Sequence, residues 1–169
     1  MARIDLKQCS LVLLDGTTPT PFQMTLKIGS GNLTWSEKKQ YDFILDRGRL
    51  DKVRQGDQLP VEVSIDAQYE YVMQPAGNTL GPGSTLLYSV EDFVKKVNSG
   101  AALVTAGADA CEPYAIKIRI TQDQACAGVP TEIVLIPEFR YEKVTHDVRA
   151  GTIQLTGKAK VVKATVTRV

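Results

Sequence analysis

A regular alternation of apolar and polar residues near the middle of the chain constrains the fold most. From Val61 to Tyr71 every odd position is apolar and every even position is polar. This period of two is typical of a strand with one buried and one solvated face. Tyr41–Asp46 shows a shorter version of the pattern, and Gly48 and Gly56 mark turns between the two segments. We therefore predict a long antiparallel hairpin from Tyr41 to Tyr71, with a projecting charged tip at residues 46–60.

Other alternating segments are separated by stretches rich in glycine and proline. The further predicted strands are Ile4–Leu14, Phe22–Ile28, Asn32–Trp35, Tyr114–Ile120, Ile133–Tyr141 and Ile153–Val166. A short hairpin is predicted to join Phe22–Ile28 to Asn32–Trp35. Pro137 predicts either an edge position or a bulge in its strand. A one-residue change of phase between Val161 and Val162 predicts a bulge in the last strand.

One α-helix is predicted near residues 89–98. Ser89 is a suitable N-cap, acidic residues follow it, and Gly100 ends the segment. One face of this helix carries Val90, Phe93, Val94 and Val97. We therefore predict a single all-β domain over residues 1–169, an antiparallel β-sandwich or barrel with one short flanking α-helix. A segment rich in glycine and proline at residues 74–87 is predicted to be an irregular loop.

Charge and hydropathy exclude several classes of partner. The chain has 20 Lys and Arg against 19 Asp and Glu, a net charge of +1, which argues against wrapping nucleic acid by phosphate neutralisation. No apolar run approaches the roughly 18 residues that span a bilayer, so no membrane partner is expected. The first residues alternate charged and apolar types, unlike a secretory signal, and predict synthesis in a cytoplasm.

The residues needed for catalysis or metal binding are scarce. His146 is the single histidine, and no Gly-x-Ser-x-Gly elbow is present, so His146 is predicted to be a surface residue rather than a base. The three cysteines, Cys9, Cys111 and Cys126, form no CxxC pair. We therefore expect no enzyme activity, no cofactor and no metal site.

Two segments resemble a known family. These are GRLDKVRQGDQLPVEVSIDAQYEYV at residues 48–72 and PEFRYEKVTHDVRAGTIQLTGKAKVVKATV at residues 137–166. Together with the predicted β domain and its single short helix, they are similar to the major tail tube proteins of long-tailed, siphovirus-type bacteriophages. The same fold occurs in the tube proteins of contractile tails and of type VI secretion.

The resemblance implies a structural virion protein. Six copies would form a ring, and stacked rings would form the tail tube, through which DNA passes during ejection without sequence-specific binding. The other implied partners are the tape measure, terminator and baseplate proteins. The protein would be found in the virion tail and, during assembly, in the host cytoplasm.

The predicted contact residues lie in the hairpin tip and in the loop at 74–87. They are Arg47, Arg49, Leu50, Asp51, Lys52, Arg54, Asp57, Leu80, Leu86 and Leu87. The resemblance also makes the polar faces of two strands candidates to line the channel. These residues are Glu62, Ser64, Asp66, Gln68, Glu70, Lys158 and Lys160.

Other interpretations stay open on the sequence alone. The tip and the loop could be no more than mobile surface segments. Within the same assembly, the chain could be a neck, tail-terminator or baseplate-hub ring that does not stack. From a different class, it could be a small β-fold carbohydrate-binding module that uses Trp35, the single tryptophan.

Overall fold

The computed structural model describes residues 9–26, 31–69, 71–73, 87–122 and 131–169. These residues form twelve β-strands, an α-helix and a 3₁₀ helix. The strands are β1 Cys9–Leu14, β2 Gln23–Leu26, β3 Leu33–Ser36, β4 Lys39–Asp46, β5 Arg49–Gln58, β6 Val61–Gln68, β7 Tyr71–Met73, β8 Leu87–Ser89, β9 Ile116–Gln122, β10 Glu132–Asp147, β11 Thr152–Ala159 and β12 Thr165–Arg168. Helix α1 is Val90–Lys95, and the 3₁₀ helix is Asn98–Ala102. The predicted all-β class with one short helix is confirmed.

One antiparallel sheet of eight strands forms the body of the protein. Its order is β2-β1-β9-β10-β11-β6-β3, and β12 also pairs with β10. Alternate residues of these strands, such as Leu13, Ile118 and Leu155, are fully buried in one common core. Because the strands bury the same face in the same core, the sheet curves around it. Val90, Phe93 and Val94 of α1 also pack in this core.

Strand β10 connects the two halves of the sheet. One of its edges pairs with β9, while the other pairs first with β12 and then with β11. The register with β9 shifts between Ile136 and Phe139, so of the two alternatives predicted at Pro137 the structure has the bulge. The bulge predicted at the change of phase between Val161 and Val162 is wrong, because β11 already ends at Ala159 and residues 160–164 form a bend before β12.

The long hairpin predicted between Tyr41 and Tyr71 is wrong in its pairing. Strand β4 pairs with β5, and β6 lies in the body between β11 and β3. The predicted tip at 46–60 therefore contains a complete strand, and Gly56 lies within that strand instead of in a turn. The apolar face of β6 is stable only where it is buried. The sheet of the body buries this face, and a two-stranded hairpin with the short Tyr41–Asp46 segment would leave it exposed.

The short hairpin predicted around Gly29–Gly31 is also wrong. Strand β2 pairs with β1, and β3 pairs with β6, so the two strands end up at opposite ends of the sheet order. Leu26 and Leu33 both reach the core, because the curved sheet brings its ends toward the same interior.

Helix α1 begins as predicted and ends earlier. The Ser89 hydroxyl accepts a hydrogen bond from the Asp92 N–H, and the Asp92 carboxylate accepts one from the Ser89 N–H, which forms a capping box. The chain leaves the helix through a left-handed Lys96. Val97 was predicted to share the buried face, but it is 40% exposed because this turn removes it from the helical path.

Candidate assembly surfaces

The element that stands apart from the body is the arm, which we define as β4, its turn and β5, Lys39–Gln58. The turn residues Arg47 and Gly48 both have positive φ, as a two-residue type I′ hairpin turn requires. Strands β4 and β5 form a sheet of their own, and neither contains a buried residue. By strand rise the arm extends roughly 30 Å. Both of its faces are therefore open to solvent.

One face of the arm is apolar. Phe43 lies directly opposite Val53, and Leu45 lies opposite Leu50 across a one-residue bulge. Together with Tyr41 these side chains define the apolar face. Their exposed fractions are 49% for Tyr41, 61% for Phe43, 60% for Leu45, 71% for Leu50 and 58% for Val53. Five large apolar side chains on one exposed ribbon form the kind of contiguous patch that marks an interaction surface.

The opposite face of the arm is mainly charged, and its one large apolar residue, Ile44, lies opposite Lys52. Asp42 lies opposite Arg54, and Asp46 lies opposite Arg49, so acidic and basic side chains face each other across the ribbon. Over its whole length the arm has five basic and four acidic residues. Neither sign of charge dominates, which distinguishes the arm from a basic nucleic-acid-binding hairpin.

Two contacts join the root of the arm to the body. The Glu37 carboxylate accepts a hydrogen bond of 2.9 Å from the backbone N–H of Ala164, in the bend between β11 and β12. Lys38 donates to Glu62 of β6 over 2.8 Å. This hydrogen bond and the nearby Lys38 charge lower the pKa of Glu62. The direction of the arm is therefore tied to strand β6 and to the bend between β11 and β12.

The contact residues predicted from the sequence fall mainly in the arm. Those in the arm are Arg47, Arg49, Leu50, Asp51, Lys52, Arg54 and Asp57. Only Leu50 belongs to the apolar face. Leu80 and Leu86 lie outside the described residues, and Leu87 is described only as the first backbone position of β8.

The predicted channel-lining residues are partly brought together. The polar positions of β6, Glu62, Ser64, Asp66 and Gln68, share the outer face of the sheet. Lys158 of β11 lies directly opposite Glu62 and forms a 3.3 Å ion pair with Glu142 of β10. Lys160 is beyond the end of β11, where an ion pair with Glu112 raises its pKa. Glu70 lies outside the described residues.

A groove of about 480 Å³ follows the outer face of β3, β6 and β11. Its lining is mainly hydroxyl-bearing or charged, and Trp35 of β3 is at its side with 38% of its surface exposed. The lining residues are Thr34, Trp35, Ser36, Glu62, Val63, Ser64, Glu142, Thr156, Gly157 and Lys158. The groove combines both signs of charge with small polar side chains.

Four residues of the apolar face, Tyr41, Phe43, Leu45 and Val53, were not among the contact residues predicted from the sequence. Tyr41, Phe43 and Leu45 were recognised as alternating apolar residues, but the pattern was interpreted as a buried strand face. An available signal was the Arg47-Gly48 pair. A two-residue turn there places Leu45 and Phe43 across from Leu50 and Val53.

His146 lies within β10 and contacts Glu91 and Tyr69. Its Nε2 is 3.3 Å from the Glu91 carboxylate of α1, and its ring makes an edge contact with Tyr69.

Tyr114 donates a hydrogen bond to the Phe93 carbonyl, and burial raises the pKa of its phenol, with a further contribution from Asp15. Across the described ranges there is no group of three or more His, Cys, Asp or Glu residues able to hold a metal ion.

Of the helices in the described residues, none has the length and apolar character needed to cross a membrane.

Comparisons with protein-family models, with curated proteins and with solved structures gave no match to this chain.

Proposed function

We propose that this chain is a structural subunit that assembles with copies of itself into stacked hexameric rings, as the tail tube of a long-tailed bacteriophage. The tube formed by these subunits would be the conduit for DNA ejection. The subunits would meet tape measure, terminator and baseplate proteins at its ends. The family named in this proposal comes from the resemblance of residues 48–72 and 137–166 to tail tube proteins. The arm supports self-assembly on physical grounds.

The observation that carries the proposal is that the arm has no partner within the described body. A two-stranded ribbon is at best marginally stable in water without a third strand or a packing surface. Burying one large apolar side chain contributes about 1.5 to 3 kcal/mol, and the arm leaves five such side chains exposed. A neighbouring subunit that covers the arm would remove this cost.

The ends of the body sheet support lateral assembly. Strands β2 and β3 are the terminal strands of the sheet order, and each pairs on one side only among the described residues. Exposed strand edges favour pairing with another chain, and closure of subunits into a ring satisfies them. The arm would thus contact a subunit of the next ring, and the sheet edges would contact the neighbouring subunits of the same ring.

The outer face of β6 and β11 is consistent with a channel wall. It has Glu62 and Asp66 together with Lys158, and small polar residues separate them. A mixed, nearly balanced surface would not hold a polyanion, because strong binding requires many uncompensated cations. DNA could therefore pass along such a wall without being retained.

Electron microscopy of the purified protein over a range of concentrations tests the proposal. We expect rings and, at higher concentration, stacked tubes, and sedimentation should show a concentration-dependent increase in mass. A protein that stays monomeric at high concentration, even with tail initiation proteins added, would rule the proposal out. Closed rings that never stack would instead indicate a neck, terminator or baseplate-hub component.

The groove beside Trp35 gives a second candidate function, that of a carbohydrate-binding module. Trp35 is partly exposed and lines a groove that also contains hydroxyl and carboxylate groups, and these residue types are the ones that contact a sugar. Binding to a glycan array that is lost in Trp35→Ala would support it. Absence of binding in the unmodified protein would eliminate it.

A further inference from the structure

The arm places its five exposed apolar side chains on one face and its acidic–basic cross-strand pairs on the other. On one side Phe43 and Val53 form a cross-strand pair; on the other, one residue away, Asp42 and Arg54 form the neighbouring pair. The apolar pair is 61% and 58% exposed. A ribbon that needed only to be soluble would have polar residues on both faces, so the apolar face is expected to be covered in the working state.

The charges on the rest of the arm limit what can cover its apolar face. An anionic membrane or a polyanion would be matched by an excess of basic residues, as in basic membrane-binding or DNA-binding elements. The arm instead alternates signs, with five basic and four acidic residues. Its electrostatic complement is a surface of mixed charge that is nearly neutral overall, and the chain itself, with a net charge of +1, has this property.

We propose that the apolar face of the arm binds a second copy of this chain, and that Phe43, Leu45, Leu50 and Val53 form the centre of the contact. This inference rests on the proposed self-assembly and goes further by naming the contacting face. The arginines predicted from the sequence, Arg49 and Arg54, lie on the opposite face. They are therefore assigned to the solvated side of the arm, which points away from the contact.

The test compares two cross-strand pairs one residue apart. Phe43→Thr/Val53→Thr alters the apolar face, and Asp42→Thr/Arg54→Thr is the matched control on the charged face. Threonine favours strands and pairs well across them, so both variants retain the ribbon. Because no residue of β4 or β5 is buried, the melting temperature of the monomeric body should be unchanged in both.

We expect the apolar-pair variant to need at least about a tenfold higher protein concentration for assembly, while the control assembles like the unmodified protein. If the unmodified protein assembles and the apolar-pair variant assembles equally well, the inference is overturned and the proposed function stands. Loss of assembly only after Arg47, Arg49 and Arg54 are all changed to Glu would also overturn it. A permanently monomeric unmodified protein would overturn the proposed function itself.

A photo-crosslinker at position 43 identifies what covers the face. Isotope-labelled and unlabelled copies are mixed, and crosslinks between the two masses are expected. Crosslinks confined to one chain would mean that the arm is covered by its own subunit and would refute the inference. Flotation with phosphatidylserine vesicles, abolished by Phe43→Thr/Val53→Thr, would assign the face to lipid and refute it as well.

Discussion

Gly157 of β11 and Arg140 of β10 approach so closely that a β-carbon at position 157 would lie 2.1 Å from the Arg140 carbonyl oxygen. The same β-carbon would lie 2.8 Å from the Tyr141 Cα. Both obstacles are backbone atoms at a bulge of β10, so neither can move without disturbing the sheet. Glycine is required here for space, which a sequence pattern alone does not show.

Gly157→Ala should therefore lower the free energy of unfolding by at least about 2 kcal/mol, because the strand pair must open to admit the methyl group. Urea denaturation measures the change. Gly151→Ala is the matched control: Gly151 also lies near β11, but a β-carbon there meets nothing within 4 Å, and the cost comes only from its positive φ. Equal losses in the two variants would contradict the steric explanation.

Asp15 should be among the costliest polar residues to remove. It is fully buried, and its carboxylate accepts hydrogen bonds from the backbone N–H groups of Thr17, Phe22 and Val104 and from the Thr17 hydroxyl. Asp15→Ala would leave three N–H groups without their acceptor and should cost about 3 kcal/mol or more. Chemical denaturation measures the loss.

Thr17→Val is the control for Asp15, since it removes only the hydroxyl bond and should cost about 1 kcal/mol. If Asp15→Ala were no worse than Thr17→Val, the carboxylate would not be the centre of this loop.

The ion pair at α1 predicts a dependence of stability on pH. The hydrogen bond from Lys95 is the largest cause of a lowered pKa for Glu91, whose ordinary value is 4.5. The ionised carboxylate therefore stabilises the fold above that ordinary pKa, and the contribution disappears as pH falls through the lower folded value. Glu91→Gln should lower the melting temperature at pH 7 and have little effect near pH 3. An equal effect at both pH values would exclude the charge as the cause.

The root of the arm offers a test of how its direction is maintained. Glu37→Ala removes the acceptor for the Ala164 N–H, whereas Glu37→Gln retains a side-chain oxygen there. Hydrogen exchange at Ala164 should accelerate in the alanine variant and remain slow in the glutamine variant. Comparable acceleration in both would show that the negative charge, and not the hydrogen bond, matters.

The body of the fold was predictable where one face of a strand is buried along its whole length. Segments such as Val61–Gln68 and Ile116–Gln122 alternate strictly, and each is a strand of the sheet with that face in the core. Pairing partners were not predictable in the same way. An alternating strand specifies which of its faces is buried, but not which strands it pairs with. Strand β6 pairs with β3, from which the arm separates it in the sequence, and with β11, which comes much later in the chain.

The arm was the hardest part to predict. Its return strand has only Leu50 and Val53 as large apolar residues, and the extra residue Asp51 breaks the period between them. With polar residues elsewhere, the segment has the composition of a charged loop. An apolar face that is exposed in the single chain has the same sequence pattern as one buried in the core, so the exposure of Phe43 was visible only in the structure.

The pairing of β3 with β6 has a consequence for how such a chain could be modified. Ser36 lies opposite Glu62, so the two points where the arm leaves and rejoins the body are neighbours. Topologically the arm is an insertion in an ordinary hairpin, and a tight turn could replace residues 39–58 without rerouting any strand of the sheet. Modules of this kind can lengthen, shorten or be exchanged over evolution while the rest of the protein retains its architecture.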